Sequence, residues 1–288
     1  MKQQMNNSAP DKMEKLPCGS LIQHGTYNDR IYLLKIGSNA TEKLPLELIG
    51  MARCCGYSKV FVKIPAKYSQ NFIRAGYSKE AAIPGFYQGT ATGMFLGYYL
   101  NPTRSAEDDT AKMNEILRLA QSKSGTTFPS LDEDQFLIRP GEKRDVFRMA
   151  DIYRNVFTTY PFPVYDPSYL WDTMQRNIDY YVVEVKGGNL VALSSAEIDS
   201  SAQNAEMTDF AILPDWRRKN LSLHLLSRME NEIKRKNIKT AYTIARAMSP
   251  GMNITFSKLR YKFGGRLKNN TNISASIESM NVWYKAIF

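Results

Sequence analysis

The chain is poor in the residues that carry most hydrolytic and metal chemistry. Its 288 residues hold three cysteines, Cys18, Cys54 and Cys55, and two histidines, His24 and His224. Adjacent cysteines cannot readily bridge to each other, so a disulfide framework is not expected and a reducing compartment, the cytoplasm, is. The two histidines lie far apart, neither beside a Cys or carboxylate cluster at ligand spacing. That argues against zinc, against a Ser/His/Asp or Cys/His hydrolase, and for no metal at all. Also missing is any uncharged apolar run near the roughly 18 residues of a membrane span. The opening MKQQMNNSAPDKMEK has no apolar core of a secretory signal, so no membrane is expected.

What is present is ordinary globular composition, 43% hydrophobic and 23% charged. At roughly 150 residues per domain the length predicts about two domains. Residues 1–20 read as a flexible leader, 21–104 as an N-terminal α/β domain, 105–134 as a linker with a helix, and 135–288 as a second domain. The net charge of +10 is uneven, because from residue 217 onward fifteen Lys or Arg face only Glu230, Glu232 and Glu278. Such a region attracts a polyanion: nucleic acid, an anionic membrane or a phosphate-rich cofactor. A merely solubilising basic surface is the plain alternative.

Periodicity divides the rest. A short strand at 31–35 precedes a helix over 44–57 that Gly56 stops; KVFVKIP is a strand ended by Pro65, and YSQNFIRAGY a short helix ending at Gly76. Residues 83–100 predict two strands joined by a turn. Beyond the linker, FLIRP is a strand, apolar positions 146, 149, 152, 153 and 156 mark one helix face, and TYPFPVYDP is a Pro-broken loop. A helix from Pro167 to Asn177 precedes two strands around Lys186-Gly187-Gly188-Asn189. AEMTDFAILP and IKTAYTIA are strands flanking a helix with Leu221, Leu225, Leu226, Met229 and Ile233 on one side. The second half thus runs β-α-α-β-β-β-α-β-α-β-β, antiparallel hairpins with one βαβ crossover. FVKIPAKYSQNFIRAGY and YTIARAMSPGMNITFSKLRY share strand, loop, short helix and Phe-x-basic-x-x-Tyr, Phe72 to Tyr77 and Phe256 to Tyr261, and predict a duplicated half-fold.

The most informative stretch is 205–230. A strand runs into Pro214, turns through Asp215-Trp216 and enters a helix through Arg217-Arg218-Lys219-Asn220-Leu221-Ser222. The first N–H groups of a helix have no partner within it, and the positive dipole end adds to them, so this start is an anion site that three cations reinforce.

This turn resembles the pyrophosphate-binding turn of the GNAT N-acetyltransferases, Arg/Gln-x-x-Gly-x-Gly/Ala, with Asn220 and Ser222 at the two small positions; the element order of 135–288 resembles that fold. SPGMNITFSKLRYKFGGRLKNNTNI, ESMNVWYKAIF and FVKIPAKYSQNFIRAGYSKEAAIPGFYQG resemble the β-lysine Nε-acetyltransferases, with Arg260 where that family usually shows Gly. The resemblance implies an α/β (α+β) fold with a mixed, mostly antiparallel sheet, preceded by a smaller half-GNAT-like domain. It implies acetyl-CoA-dependent acetylation of the ε-amine of β-lysine, by direct attack in a ternary complex, to give a compatible solute.

An ammonium must lose a proton before it attacks a thioester. By the resemblance Glu206 is the base, with Asp209 the alternative or the partner of a substrate ammonium. A main-chain donor near Ala211 and Ile212 would polarise the thioester carbonyl. Phe210, Ala211, Ile212, Arg217, Arg218 and Lys219 form one part of the implied cofactor surface, and Asn220, Leu221, Ser222, Asn253 and Phe256 the other. Asn253 contacts the pantetheine arm or caps its helix, and Phe256 stands where the thiolate-protonating Tyr usually is, leaving that acid missing, displaced or replaced by water. Tyr160 and Phe162 would wall the acceptor. CoA and a small amine are the expected partners, with no nucleic acid or membrane; a homodimer stays open. The alternatives are an acetyltransferase for another small amine, lysine or a polyamine, and a non-catalytic polyanion-binding module.

Overall fold

The computed structural model describes residues 10–273 and 276–287. The first half comprises β1 (Lys12–Lys15), β2 (Leu21–Gly25), β3 (Arg30–Lys35), α1 (Leu44–Cys54), β4 (Lys59–Pro65), α2 (Ser69–Arg74), β5 (Ser78–Tyr87) and β6 (Ala91–Tyr99). Helix α3 (Thr110–Ser122) leads to β7 (Phe136–Pro140), α4 (Val146–Val156), α5 (Pro167–Met174), β8 (Ile178–Val185), β9 (Leu190–Asp199) and β10 (Asn204–Ile212). The chain ends with α6 (Leu221–Arg235), β11 (Thr240–Arg246), α7 (Pro250–Lys258), β12 (Lys262–Ile273) and β13 (Ser276–Ala286).

All these strands form one sheet, in the order β1-β2-β3-β4-β6-β5-β12-β13-β11-β10-β9-β8-β7. The two halves repeat one pattern. In the first, β2 and β3 are antiparallel, β3 and β4 parallel across α1, and β4-β6-β5 antiparallel. In the second, β9 and β10 are antiparallel, β10 and β11 parallel across α6, and β11-β13-β12 antiparallel. The echo read from the sequence, 61–77 and 242–261, covers β4-α2 and β11-α7, matching stations of this repeat, and ends where β5 and β12 begin.

The halves meet edge to edge where Gly265 of β12 pairs with Ala81 of β5. Gly265 has φ +141°, and a Cβ there would lie 2.2 Å from the Glu80 carbonyl oxygen, so only glycine permits this approach. Beside it the buried Lys59 ammonium donates to both oxygens of the buried Glu80 at 3.0 Å and to the Lys268 carbonyl at 2.7 Å.

The crossover helix α6 buries Leu221, Leu225, Leu226, Met229 and Ile233 against β8, β9 and β10, the stripe its sequence shows. Of the expected leader, residues 1–9 lie outside the described residues. Lys12–Lys15, assigned to the same leader, is instead an edge strand paired from Lys12–His24 to Lys15–Leu21. A short polar edge strand carries little apolar alternation, so KMEK reads as coil. The strand expected from residue 83 begins five residues earlier, at Ser78. Among the described residues no helix is long and apolar enough to cross a membrane, and no group of three or more His, Cys, Asp or Glu could hold a metal ion.

Candidate active site

Strands β10 and β11 pair only at Asn204–Thr240, Ala205–Ala241 and Glu206–Tyr242, and then part. The cause lies on β10, whose register against β9 slips between Thr208 and Ala211, with Asp209 at φ +55°. A bulge of this kind bends the strand that carries it. The Asp209 carboxylate accepts hydrogen bonds from Ser195 Oγ at 2.6 Å, from the Tyr160 hydroxyl, and from Thr208 Oγ1 at 3.3 Å. Three hydroxyls thus occupy Asp209, which fixes the bulge and moors the 160–163 loop to it.

The parting opens a cavity of about 360 Å³. Glu206, the last paired residue of β10, faces it, with Glu197 directly opposite on β9. Across the parting strands the Tyr242 hydroxyl and the Ile244 N–H favour the charged form of the Glu206 carboxylate. Burial raises the pKa of both glutamates above the ordinary value, since leaving water disfavours the charged form, and the nearby acids add to it. Lys63 of β4 enters from the other half, its ammonium 3.4 Å from the Tyr242 hydroxyl. Burial opposes its charge, but Tyr32, Glu206 and Glu197 outweigh that and hold its pKa above the usual lysine value. A base, a paired acid and a half-buried ammonium therefore share one small volume, an arrangement fit to take a proton from a cationic substrate.

At the far end of β10 lies the expected anion turn. Residues 214–216 make one 3₁₀ turn, Arg218 and Asn220 take φ +65° and +58°, and α6 starts at Leu221. Asn tolerates the left-handed region better than most residues, which lets Asn220 stand where the resemblance has Gly. No side chain caps the helix, so its first N–H groups are left to a ligand. Arg217, Arg218 and Lys219 are exposed and in no ion pair among the described residues. Ser222 Oγ lies 3.1 Å from Thr255 Oγ1, tying α6 to α7.

The remaining expected residues separate clearly. Tyr160, Phe162, Phe210 and Phe256 line the cavity, and Phe256 packs edge-on against Phe210 and Tyr261. Ala211 and Leu221 are buried in the hydrophobic core and Ile212 packs against it, so only their main-chain groups are offered. Asn253 is a correction. It is 0% exposed, its amide donates to the Arg246 and Ser249 carbonyls at 3.0 and 2.7 Å, and its oxygen accepts from Asn281 at 2.8 Å and Trp283 at 2.9 Å. With its hydrogen-bonding groups so engaged, its side chain clasps α7 to β11 and β13 and leaves nothing for a pantetheine arm.

Sequence reasoning missed Glu197, Lys63, Tyr242, Tyr32 and Arg30, all of which line the cavity. Glu197 had a signal, being the sole charge in the run from Leu190 to Ile198. Lys63, Tyr32 and Arg30 had none, because only the joined sheet brings β3 and β4 to β10.

Comparison with known proteins agrees with this geometry. The model of the acetyltransferase (GNAT) family matches residues 147–249. Beta-lysine N(6)-acetyltransferase of Methanococcus maripaludis is 35% identical over 92% of this chain and 96% of its own. The enzyme of the same name from Methanosarcina mazei is 30% identical over 80% of this chain and 91% of its own. N-acetyltransferase YodP of Bacillus subtilis is 30% identical over 93% and 96%.

Proposed function

Since this chain belongs to the acetyltransferase (GNAT) family, among the relatives of beta-lysine N(6)-acetyltransferase, and is an N-acetyltransferase acting on an amine, we propose that acetyl-CoA is its donor and the ε-amine of β-lysine its acceptor. The observation that carries this reading is the opening between β10 and β11, with Glu206 at its apex and an uncapped, basic helix start beyond its mouth. The unpaired N–H groups from Arg218 to Ser222 and the three cations suit a diphosphate. Acetyl-CoA, when bound, supplies the thioester carbon that the amine attacks.

The chain's own part in the reaction follows. Glu206 takes a proton from the substrate ammonium; the freed nitrogen forms the new C–N bond and sheds its second proton, the C–S bond breaks, and the electron pair leaves with the CoA sulfur, which gains one proton in its place. Past the bulge at Asp209, a main-chain N–H near Ala211 and Ile212 stabilises charge on the carbonyl oxygen. Phe256 has no proton to give, so the thiolate is protonated by water or by another group. Tyr160 and Phe162 wall the alkyl chain. The product keeps one ammonium and one carboxylate, a net-neutral zwitterion suited to a compatible solute of the cytoplasm.

Release of CoA thiol with acetyl-CoA and a panel of amines tests this. Glu206→Gln is expected to lower kcat by about 10²- to 10⁴-fold, most steeply at low pH, with the KM for acetyl-CoA nearly unchanged. An unchanged rate would remove Glu206 from the mechanism, and turnover of spermidine but not β-lysine would overturn the acceptor.

A further inference from the structure

Three cations are buried in the N-terminal half. Lys59 is ion-paired with Glu80 at 3.0 Å and Arg104 with Asp29 at 3.2 Å. Arg30, 5% exposed, is in no ion pair among the described residues. Its Nη1 donates to the Asn270 carbonyl and, at 3.4 Å, to Thr271 Oγ1, while its Nε is buried with no partner among the described residues. Burial brings its pKa down to about 10, so it keeps its charge at neutral pH. A buried charge without a counter-charge is costly unless a ligand supplies one.

Arg30 also lines the cavity that holds Glu206. Its guanidinium lies over the rings of Tyr32 at 5.2 Å and Phe61 at 5.7 Å, which hold it without neutralising it. On the other side of Tyr32, Lys63 sits 5.9 Å from the ring centre, reaches Tyr242, and through it Glu206. One wall therefore carries a free cation at one end and the base at the other, with Tyr32 between them.

We propose that Arg30 binds the carboxylate of the acceptor and makes the enzyme select an amino acid over a polyamine. The proposal rests on the acetyltransfer reading above. A substrate held by its carboxylate at Arg30 lays its carbon chain along Tyr32 and delivers the distal ammonium to Glu206. A polyamine would set a cation against the guanidinium instead. A fork of two N–H donors suits a carboxylate better than a lysine would.

The test compares β-lysine with pentane-1,4-diamine, the same chain without its carboxylate, in the wild-type enzyme and in Arg30→Gln. The wild type is expected to show a KM lower for β-lysine by about ten- to hundredfold, as a charge-assisted bond would give. Arg30→Gln should raise the β-lysine KM to that of the diamine, leave the diamine and acetyl-CoA constants in place, and change kcat little. Should that variant fail to fold, Arg30→Lys takes its place, with a smaller rise confined to β-lysine. Equal wild-type constants for the two amines, or a variant that retains the full preference, would overturn the role of Arg30 while acetyltransfer stands. Turnover of neither amine by the wild type would overturn the acceptor reading itself.

Discussion

One strand order serves two purposes in this molecule. In the C-terminal half the parallel pair β10–β11 holds for three residue pairs and then opens at the Asp209 bulge; in the N-terminal half β3–β4 pairs over four, from Arg30–Lys59 to Leu33–Val62. The row Glu197–Glu206–Tyr242 across β9, β10 and β11 has its counterpart in Gln23–Tyr32–Phe61 across β2, β3 and β4, and both rows face the same cavity. The helix starts differ as well. Where α6 begins behind three exposed cations, α1, which also lacks a side-chain cap, has its first amides engaged by the chain itself: Lys43 N–H donates to Thr41 Oγ1 at 3.3 Å and Leu44 N–H to the Thr41 carbonyl at 3.1 Å. The same topology thus yields a donor site where a corner is open and an acceptor wall where it is plugged.

The comparison breaks most severely at the joint between the halves. Gly265→Ala places a methyl group against the β5 backbone at a φ that side chains avoid, and is expected to cost about 3 kcal/mol or more of stability. Gly251→Ala, in α7 with nothing within 4 Å, is the control, and should be neutral or stabilising by up to about 1 kcal/mol. Denaturant unfolding measures both. If enough Gly265→Ala folds for kinetics, the KM for the amine should rise more than that for acetyl-CoA, because Arg30, Tyr32 and Lys63 come from the displaced half. Equal rises would mean that the N-terminal half serves both ends alike.

A milder change sharpens the contrast between the two helix starts. Arg217→Ala with Lys219→Ala should raise the KM for acetyl-CoA by about tenfold or more through lost phosphate contacts, with the amine constant unmoved. Lys43→Ala, at the start of α1, should alter neither constant, since that corner is already occupied. Steady-state kinetics with both substrates varied distinguishes the outcomes, and a response to Lys43→Ala would show that the first half has kept an anion site.

What the sequence made legible was local. The stripe on α6, the strand running into Pro214 and the cationic turn are each written within a dozen residues, and the echo of Phe72–Tyr77 in Phe256–Tyr261 marked the repeat. Missed features depend on separation. Arg30 reaches the cavity because the two halves are joined between β5 and β12, and no periodicity encodes a contact between Arg30 and the carbonyl of Asn270. Asn253 read equally as ligand contact or cap because its true partners, Asn281 and Trp283, lie on β13.

The smallest expected effect comes from giving the C-terminal row the amide its counterpart has at Gln23. Burial and the neighbouring Glu206 push the pKa of Glu197 up to about 8, so Glu197 still holds its proton where Glu206 takes its ionised form, and Glu197→Gln leaves the charge opposite Glu206 unchanged there. Activity requires that ionised form. The acid limb of the kcat/KM profile should therefore stay nearly in place, and variant and wild type should part only above the Glu197 value, where the wild type alone gains a second negative charge beside the base. Stability carries the same sign. A carboxyl whose folded pKa is raised contributes stability that is intact below the unfolded value and lost as pH rises through the folded one. Tm should accordingly be the same for variant and wild type at pH below the ordinary glutamate value, and higher for the variant above the raised one. A limb moved to lower pH, with a Tm lowered at high pH, would mean that Lys63 holds Glu197 as an ion pair already ionised where the base titrates.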